Sequence, residues 1–217
     1  MEGYVTEEQQ VEAIKKWWKK HGSNTITGGL LALAIFFGGR TWLDYRDGQS
    51  EAASGEYEAM MQSMRAGEKE TVFAHADTLL QKYSDTPYAT LAAFALAKVK
   101  LEQKDPVAAE AHLRWVLTNN SNEGIQNIAK LRLARIMLAQ DKHEEALKII
   151  PMDSGSFKSA FEEVKGDIYL AKGDRAAAQL AYNQAMLALP AESNNQAILQ
   201  MKLDDFGQAT IPVEDNK

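Results

Sequence analysis

The residues that could do chemistry are few, and their spacing assembles no catalytic site. The histidines are His21, His75, His112 and His143. A metal centre needs two or more ligands at turn spacing, as in His-Glu-x-x-His on one helix, and none of the four has a second imidazole at such an interval. They fall on separate segments and read as solvated or capping side chains. Ser154-Gly155-Ser156 lacks the preceding glycine and the leading strand of a nucleophile elbow, so it reads as a turn. Gly67-Glu68-Lys69 lacks the upstream glycine of a phosphate loop, and Gly28-Gly29 lies inside an apolar run. Asp204 and Asp205 are consecutive on a helical pattern, which points their carboxylates apart. The absence of cysteine removes thiol catalysis, disulfides and zinc-thiolate sites together. Neither an enzyme, a metal nor a cofactor is expected.

What the residue types do support is contact with lipid and with protein. The stretch from Lys15 to Trp42 reads KKWWKKHGSNTITGGLLALAIFFGGRTW, and residues 21–39 carry no formal charge. As a helix rising about 1.5 Å per residue those nineteen residues span about 28 Å, one hydrocarbon core. Lys15, Lys16, Trp17, Trp18, Lys19 and Lys20 make one interfacial flank, and Arg40 and Trp42 make the other. The lysine-rich side belongs in the cytoplasm by the positive-inside rule, which sends everything after Trp42 across the membrane. A cleaved signal peptide is disfavoured by the twenty residues that precede the run and by Gly38-Gly39-Arg40 after it. A buried soluble helix is disfavoured because Leu30 to Phe37 is apolar on every side.

The expected organisation is a cytoplasmic amphipathic and basic segment at 1–20, a transmembrane helix at 21–43, a soluble domain at 44–206 and a flexible tail at 207–217. Val11, Ile14 and Trp18 give the first segment an apolar side suited to lying in the interface. Of the net charge of −6, residues 1–20 contribute none and Arg40 one positive charge, leaving −7 on residues 41–217. So acidic a domain is a poor binder of phosphate backbones, and no nucleic-acid partner is expected.

The soluble part shows helical periodicity in short segments and no sustained alternation, so the chain reads as all-α. Residues 44–66 prolong the membrane helix outward until Gly67. A helix follows at 69–83. Thr86-Pro87 and Asp105-Pro106 each place a capping residue before a proline, starting helices that run to about Gln103 and Thr118. Asp141 with Glu144 and Ser193 with Gln196 fit capping boxes, Asp174 starts another helix, and Pro151 and Pro190 close helices.

The unit from Ser159 to Glu192 sets Gly166, Tyr169, Gly173 with Asp174, Ala178, Tyr182, Ala185 and Pro190 at fixed offsets that resemble the tetratricopeptide pattern. There small residues let two helices of a hairpin touch and aromatics fill the gaps. Leu131 to Ile150 repeats it weakly through Ala134, Met137 and Ala146, and Tyr88 to Leu117 through Ala97, Ala109, Leu113 and Val116. Stacked hairpins form a solenoid with a concave wall built from the first helix of each pair. That wall is expected to carry Phe94, Lys98 and Leu101, then Leu131, Arg135 and Leu138, then Glu163, Asp167 and Leu170. Mixed apolar and charged groups suit a peptide or helix, and the chain's own C-terminal helix, from Ser193 to Asp205, is a second candidate to fill part of the groove.

Five stretches together, QVEAIKKWWKKHG, GGRTWLDYRDGQSEAAS, AKLRLARIMLAQDKHEEALKII, GDIYLAKGDRAAAQLAY and LQMKLDDF, resemble the ancillary-subunit family of the bacterial SecYEG translocon, the YfgM-type proteins. The resemblance runs from about residue 10 to residue 206. It implies a single-pass protein of the bacterial inner membrane, N-terminus in the cytoplasm, with a tetratricopeptide-like α-solenoid in the periplasm. It also implies association with the SecYEG translocon and with a membrane-anchored periplasmic chaperone of the parvulin-like isomerase type, and it brings no catalytic residues. The leading expectation is a non-enzymatic adaptor that binds such a chaperone or emerging secretory polypeptides. A self-associating envelope scaffold, or a regulator acting through residues 1–20, would carry the same features.

Overall fold

The computed structural model describes residues 7–152, 154–190 and 193–208. All regular structure among them is helical: α1 Glu7–Ala66, α2 Lys69–Lys82, α3 Pro87–Glu102, α4 Pro106–Asn119, α5 Glu123–Leu138, α6 His143–Ile149, α7 Lys158–Ala171, α8 Arg175–Leu187 and α9 Gln196–Gln208, with one 3-10 turn at Gly155–Phe157. The all-α solenoid expected from the sequence is the fold observed. Contacts divide the described residues into two units at the Ala52/Ala53 boundary.

The first unit is helix without a break. α1 runs from Glu7 through Lys20 into the apolar stretch as one helix, because no proline or left-handed residue interrupts it. Gly22 is not a breaker here. A methyl group on it would sit 3.2 Å from the Trp18 ring, so the glycine makes room for the indole. Leu30, Leu31, Leu33, Ile35, Phe36 and Phe37 are all more than half exposed. Such a surface is unstable in water and stable in hydrocarbon, and the helix is long and apolar enough to cross a membrane.

The second unit is a series of antiparallel hairpins closed by one repeated turn. At the end of α1, α3, α5 and α7 the chain passes through a left-handed residue, namely Gly67, Lys104, Asp141 and Gly173, with φ between 59° and 80°. Each time the next N–H returns to a carbonyl five residues back: Glu68 to Ser63, Asp105 to Lys100, Lys142 to Met137 and Asp174 to Tyr169, at 2.9 to 3.0 Å. This is the Schellman closure, which satisfies the last carbonyls of the first helix while aiming the chain back along it. Four hairpins result. They are residues 53–66 with α2, then α3 with α4, α5 with α6 and α7 with α8, and α9 packs on α8.

Among the described residues, three helices start on a side-chain cap. Asp105, Asn122 and Asp174 accept the N–H groups of Ala108, Ile125 and Ala177 at 3.0 to 3.1 Å. Thr86 departs from expectation: its hydroxyl donates backward to the Tyr83 carbonyl at 2.7 Å instead of accepting from the helix it precedes. Asp141 is no cap either, since it occupies the left-handed turn and Lys142 precedes α6. Ser193 accepts from the N–H of Asn195 at 3.3 Å, and the Gln196 N–H goes to the Ser193 backbone carbonyl at 3.3 Å instead of its hydroxyl, so the expected capping box is not formed.

Packing places the small residues of the repeat where the helices cross. Ala97, Ala109, Ala134, Ala146, Gly166, Ala178 and Ala185 are all buried, and Leu113, Val116, Met137 and Tyr182 fill the spaces between them. Gly166 sits at a close crossing, because a methyl group there would lie 2.5 Å from the Tyr182 ring.

Candidate protein-binding groove

The first helices of successive hairpins leave a cleft of about 710 Å³ between α3 and α5. Its apolar surface comes from Phe94, Ala97 and Leu101 on α3, Leu113 on α4, Ile136 on α5 and Ala139 just after it. Four cations stand around it: Lys98, Lys104, Arg132 and Arg135, and no carboxylate is among the lining residues. The one ion pair these four make among the described residues is Lys98 with Glu102, 3.9 Å apart and largely exposed, which contributes little. Arg132 lies over the Phe94 ring at 4.8 Å, a cation–π contact that fixes both side chains at the edge of the cleft.

The acidic residue packed behind the cleft is already neutralised. Glu110, buried on α4, accepts from Lys142 at 2.8 Å and from Gln140 at 2.6 Å, and Arg114 approaches at 3.6 Å. Burial alone would raise its carboxyl pKa; the bonds from Lys142 and Gln140 and the two positive charges outweigh that and hold it below the ordinary carboxylate range. The field at the mouth is therefore set by the four cations.

A second cleft of about 490 Å³ adjoins the first and shares Phe94 and Arg132 with it. It runs past Thr90, Leu91 and Ile128 to Asp85, Asn119 and Asn120, so it is neutral to acidic at its far end. Asn120 donates to the Thr90 hydroxyl at 3.0 Å, which fixes that end of the α3/α4 hairpin.

The wall expected from the sequence is divided by the structure. Phe94, Lys98, Leu101 and Arg135 lie together in the larger cleft. Leu131 and Leu138 do not line it; they are half-buried against the core cluster built around Leu133, Met137 and Ile168. Glu163 and Asp167 are covered by α9, whose Lys202 reaches them at 2.8 and 2.6 Å, while Tyr182 donates to Asp167 at 2.7 Å. Burial would lower the Lys202 pKa, but the hydrogen bonds to Asp167 and Glu163 raise it above its ordinary value. Burial, with the bond to Asp167, also pushes the Tyr182 phenol well up. Leu170 stays exposed beyond this contact.

Lys104 and Arg132 were not anticipated. Arg132 stands one helical turn before Arg135 and so shares its face, a signal present in the sequence. Lys104 was hidden because a lysine occupies the left-handed turn position that Gly67 and Gly173 fill elsewhere.

The membrane-flanking residues Lys15, Lys16, Trp17, Trp18, Lys19, Lys20, Arg40 and Trp42 are all exposed on α1. Trp17 stacks on His21 at 5.5 Å and Arg46 lies over Trp42 at 5.3 Å. His75 bonds Glu56 at 2.7 Å across the first hairpin, and His112 is held below its ordinary pKa by burial and by Lys100. No group of three potential metal ligands converges among the described residues.

Stacked helical hairpins with an open groove, in a chain with an apolar helix of membrane length, define a helical-repeat protein of the tetratricopeptide class. A family model described as a tetratricopeptide repeat-like domain matches residues 15–208. The chain is 31% identical to the ancillary SecYEG translocon subunit of Haemophilus influenzae, over 93% of this chain and 98% of that one. It is 29% identical to the subunit so named from Neisseria gonorrhoeae, over 95% and 100% of the two chains, and 27% identical to that of Escherichia coli K12, over 95% and 99%. The protein belongs to this family of ancillary SecYEG translocon subunits. No solved structure matches it.

Proposed function

We propose that this protein is a non-enzymatic, membrane-anchored adaptor of the Sec translocon, with its N-terminal lysines in the cytoplasm and its helical hairpins on the far side of the inner membrane. There the α3/α5 groove holds a membrane-anchored periplasmic chaperone of the parvulin-like isomerase type or an emerging secretory polypeptide. Residues 1–20 stay in the cytoplasm, 21–43 cross the bilayer and 44–206 form the binding domain. The observation that carries the reading is the open α3/α5 cleft, apolar on its floor and basic at its mouth, in a chain whose α7 wall is covered by its own α9. Anchoring supplies the rest of the affinity: a weak binder confined to the bilayer beside its partner meets it at a high effective concentration.

The expected result of solubilising membranes in mild detergent is that the wild-type chain co-purifies with the translocon and the chaperone. Lys98→Glu with Arg135→Glu should lose the chaperone or the polypeptide while the helicity of the chain is unchanged. Retention of every partner by that double variant would remove the groove from the mechanism. Protease added to opened cells should digest the part after Trp42, and protection of that part beside a digested periplasmic control would reverse the topology.

A further inference from the structure

The groove's charge is opposite in sign to that of the protein that carries it. The chain has a net charge of −6, yet four cations and no carboxylate line the α3/α5 cleft. Glu110, which could have balanced them from behind, is engaged by Lys142, Gln140 and Arg114. At the equivalent α7 wall the polarity is reversed: Glu163 and Asp167 stand there, and the chain supplies its own cation, Lys202, to cover them. The α3/α5 cations have no such internal counterpart among the described residues beyond the loose Lys98–Glu102 pair.

From this asymmetry, and resting on the adaptor reading above, we propose that the groove's occupant is an acidic, apolar polypeptide segment of another protein. Its apolar side chains sit on Phe94 and Leu101, and its carboxylates face Lys98, Lys104 and Arg135. A small anion is a poor fit because the cations ring an apolar floor instead of converging on a point. A segment of chain fits because the cleft continues past the Phe94/Arg132 pair into the second compartment, which together give room for several residues. The two compartments differ in sign, basic around Lys98 and Arg135 and acidic near Asp85, so the segment has one orientation: its carboxylates at the end of α3 and neutral or basic residues toward the start.

The test uses the full chain in nanodiscs of zwitterionic lipid and fluorescein-labelled peptides of about twelve residues, long enough to engage both compartments. One peptide combines Leu and Phe with Glu, and its control carries Lys at every Glu position. The Glu peptide should bind about ten-fold more tightly than the Lys peptide, weaken as salt rises, and exchange preference with it on Lys98→Glu with Arg135→Glu. Equal binding of both peptides, or an unchanged preference in the double variant, would overturn the proposed chemistry. If the Glu peptide failed while the double variant still lost the natural partner from membranes, the adaptor reading would stand and this proposal would fall. The chain's own residues 211–215, Ile-Pro-Val-Glu-Asp, have the same chemistry. Binding that appeared only after removal of residues 209–217 would make the tail the occupant and overturn a foreign one.

Discussion

The two ends of the repeat wall make opposite use of the same geometry. At α7 the carboxylates Glu163 and Asp167 are met by Lys202 and the Tyr182 hydroxyl, and Phe206 packs edge-on against Tyr182 with ring centres 5.9 Å apart. At α3 and α5 the corresponding surface stays open, with cations spread over an apolar floor. A hairpin repeat always presents a face that the next element must cover. The last hairpin is covered from within by α9, whereas the α3/α5 face stays open among the described residues. One end is closed by the chain itself, and the other is the end proposed above to hold a partner.

Removing α9 by ending the chain after Pro190 tests that division most severely. It strips the fully buried Leu199 and the Phe206 contact from the last hairpin, and should cost about 3–6 kcal/mol in chemical denaturation. A loss below about 1 kcal/mol would mean α9 is no cover. Gly166→Val comes next: it drives a side chain into the Tyr182 ring and should cost about 2–3 kcal/mol, part of it recovered when Tyr182→Leu is added. Lys202→Gln, which leaves Glu163 and Asp167 sharing a half-buried site, should cost about 1–2 kcal/mol. That bond has an alkaline signature. Because the folded Lys202 pKa is raised, its contribution is complete below the ordinary value of 10.5 and is lost as pH climbs through the folded value, so the variant's stability curve should be flatter there.

His112 gives the acid side. Its folded pKa is lowered, so the neutral form contributes fully above 6.5 and stability declines as pH falls below that, an effect His112→Gln should remove from a thermal melt series. At the open end, Lys98→Glu and Arg135→Glu should each move stability by less than about 0.5 kcal/mol, since neither side chain holds the fold. A larger loss would show these cations to be structural, and the contrast between the two ends would fail.

Much of this architecture was legible because hairpin crossings demand small residues. Gly166 against Tyr182, and the alanines at 97, 109, 134, 146, 178 and 185, are fixed in type by the close approach of the helices, so the repeat shows in their spacing. The first hairpin was not legible. Residues 53–66 are the end of a 60-residue helix, and a change of role within one helix leaves no break in the pattern. The turn at Lys104 and Asp141 was hidden for a related reason, because the closing hydrogen bonds define it and glycine only eases it. Of the expected wall, Phe94, Lys98, Leu101 and Arg135 meet in one cleft because they share the face that the next hairpin leaves open. Leu131 and Leu138 turn to the core, since a helix packed on both sides leaves little room on its shoulders. The C-terminal helix does fill part of the expected wall, as the sequence allowed, at Glu163 and Asp167; that Lys202 makes the contact, from 35 to 39 residues away in the chain, is a detail local spacing cannot carry.

The most direct measurement places a photo-cross-linking residue at Leu101, in the open groove, and separately at Leu170, similarly exposed but beyond the wall that α9 covers, in full-length chain within native membranes. The expected result is adducts with another protein from position 101 that vanish with Lys98→Glu and Arg135→Glu, and none from position 170. Equal adducts from both positions, or adducts from 170 alone, would contradict it.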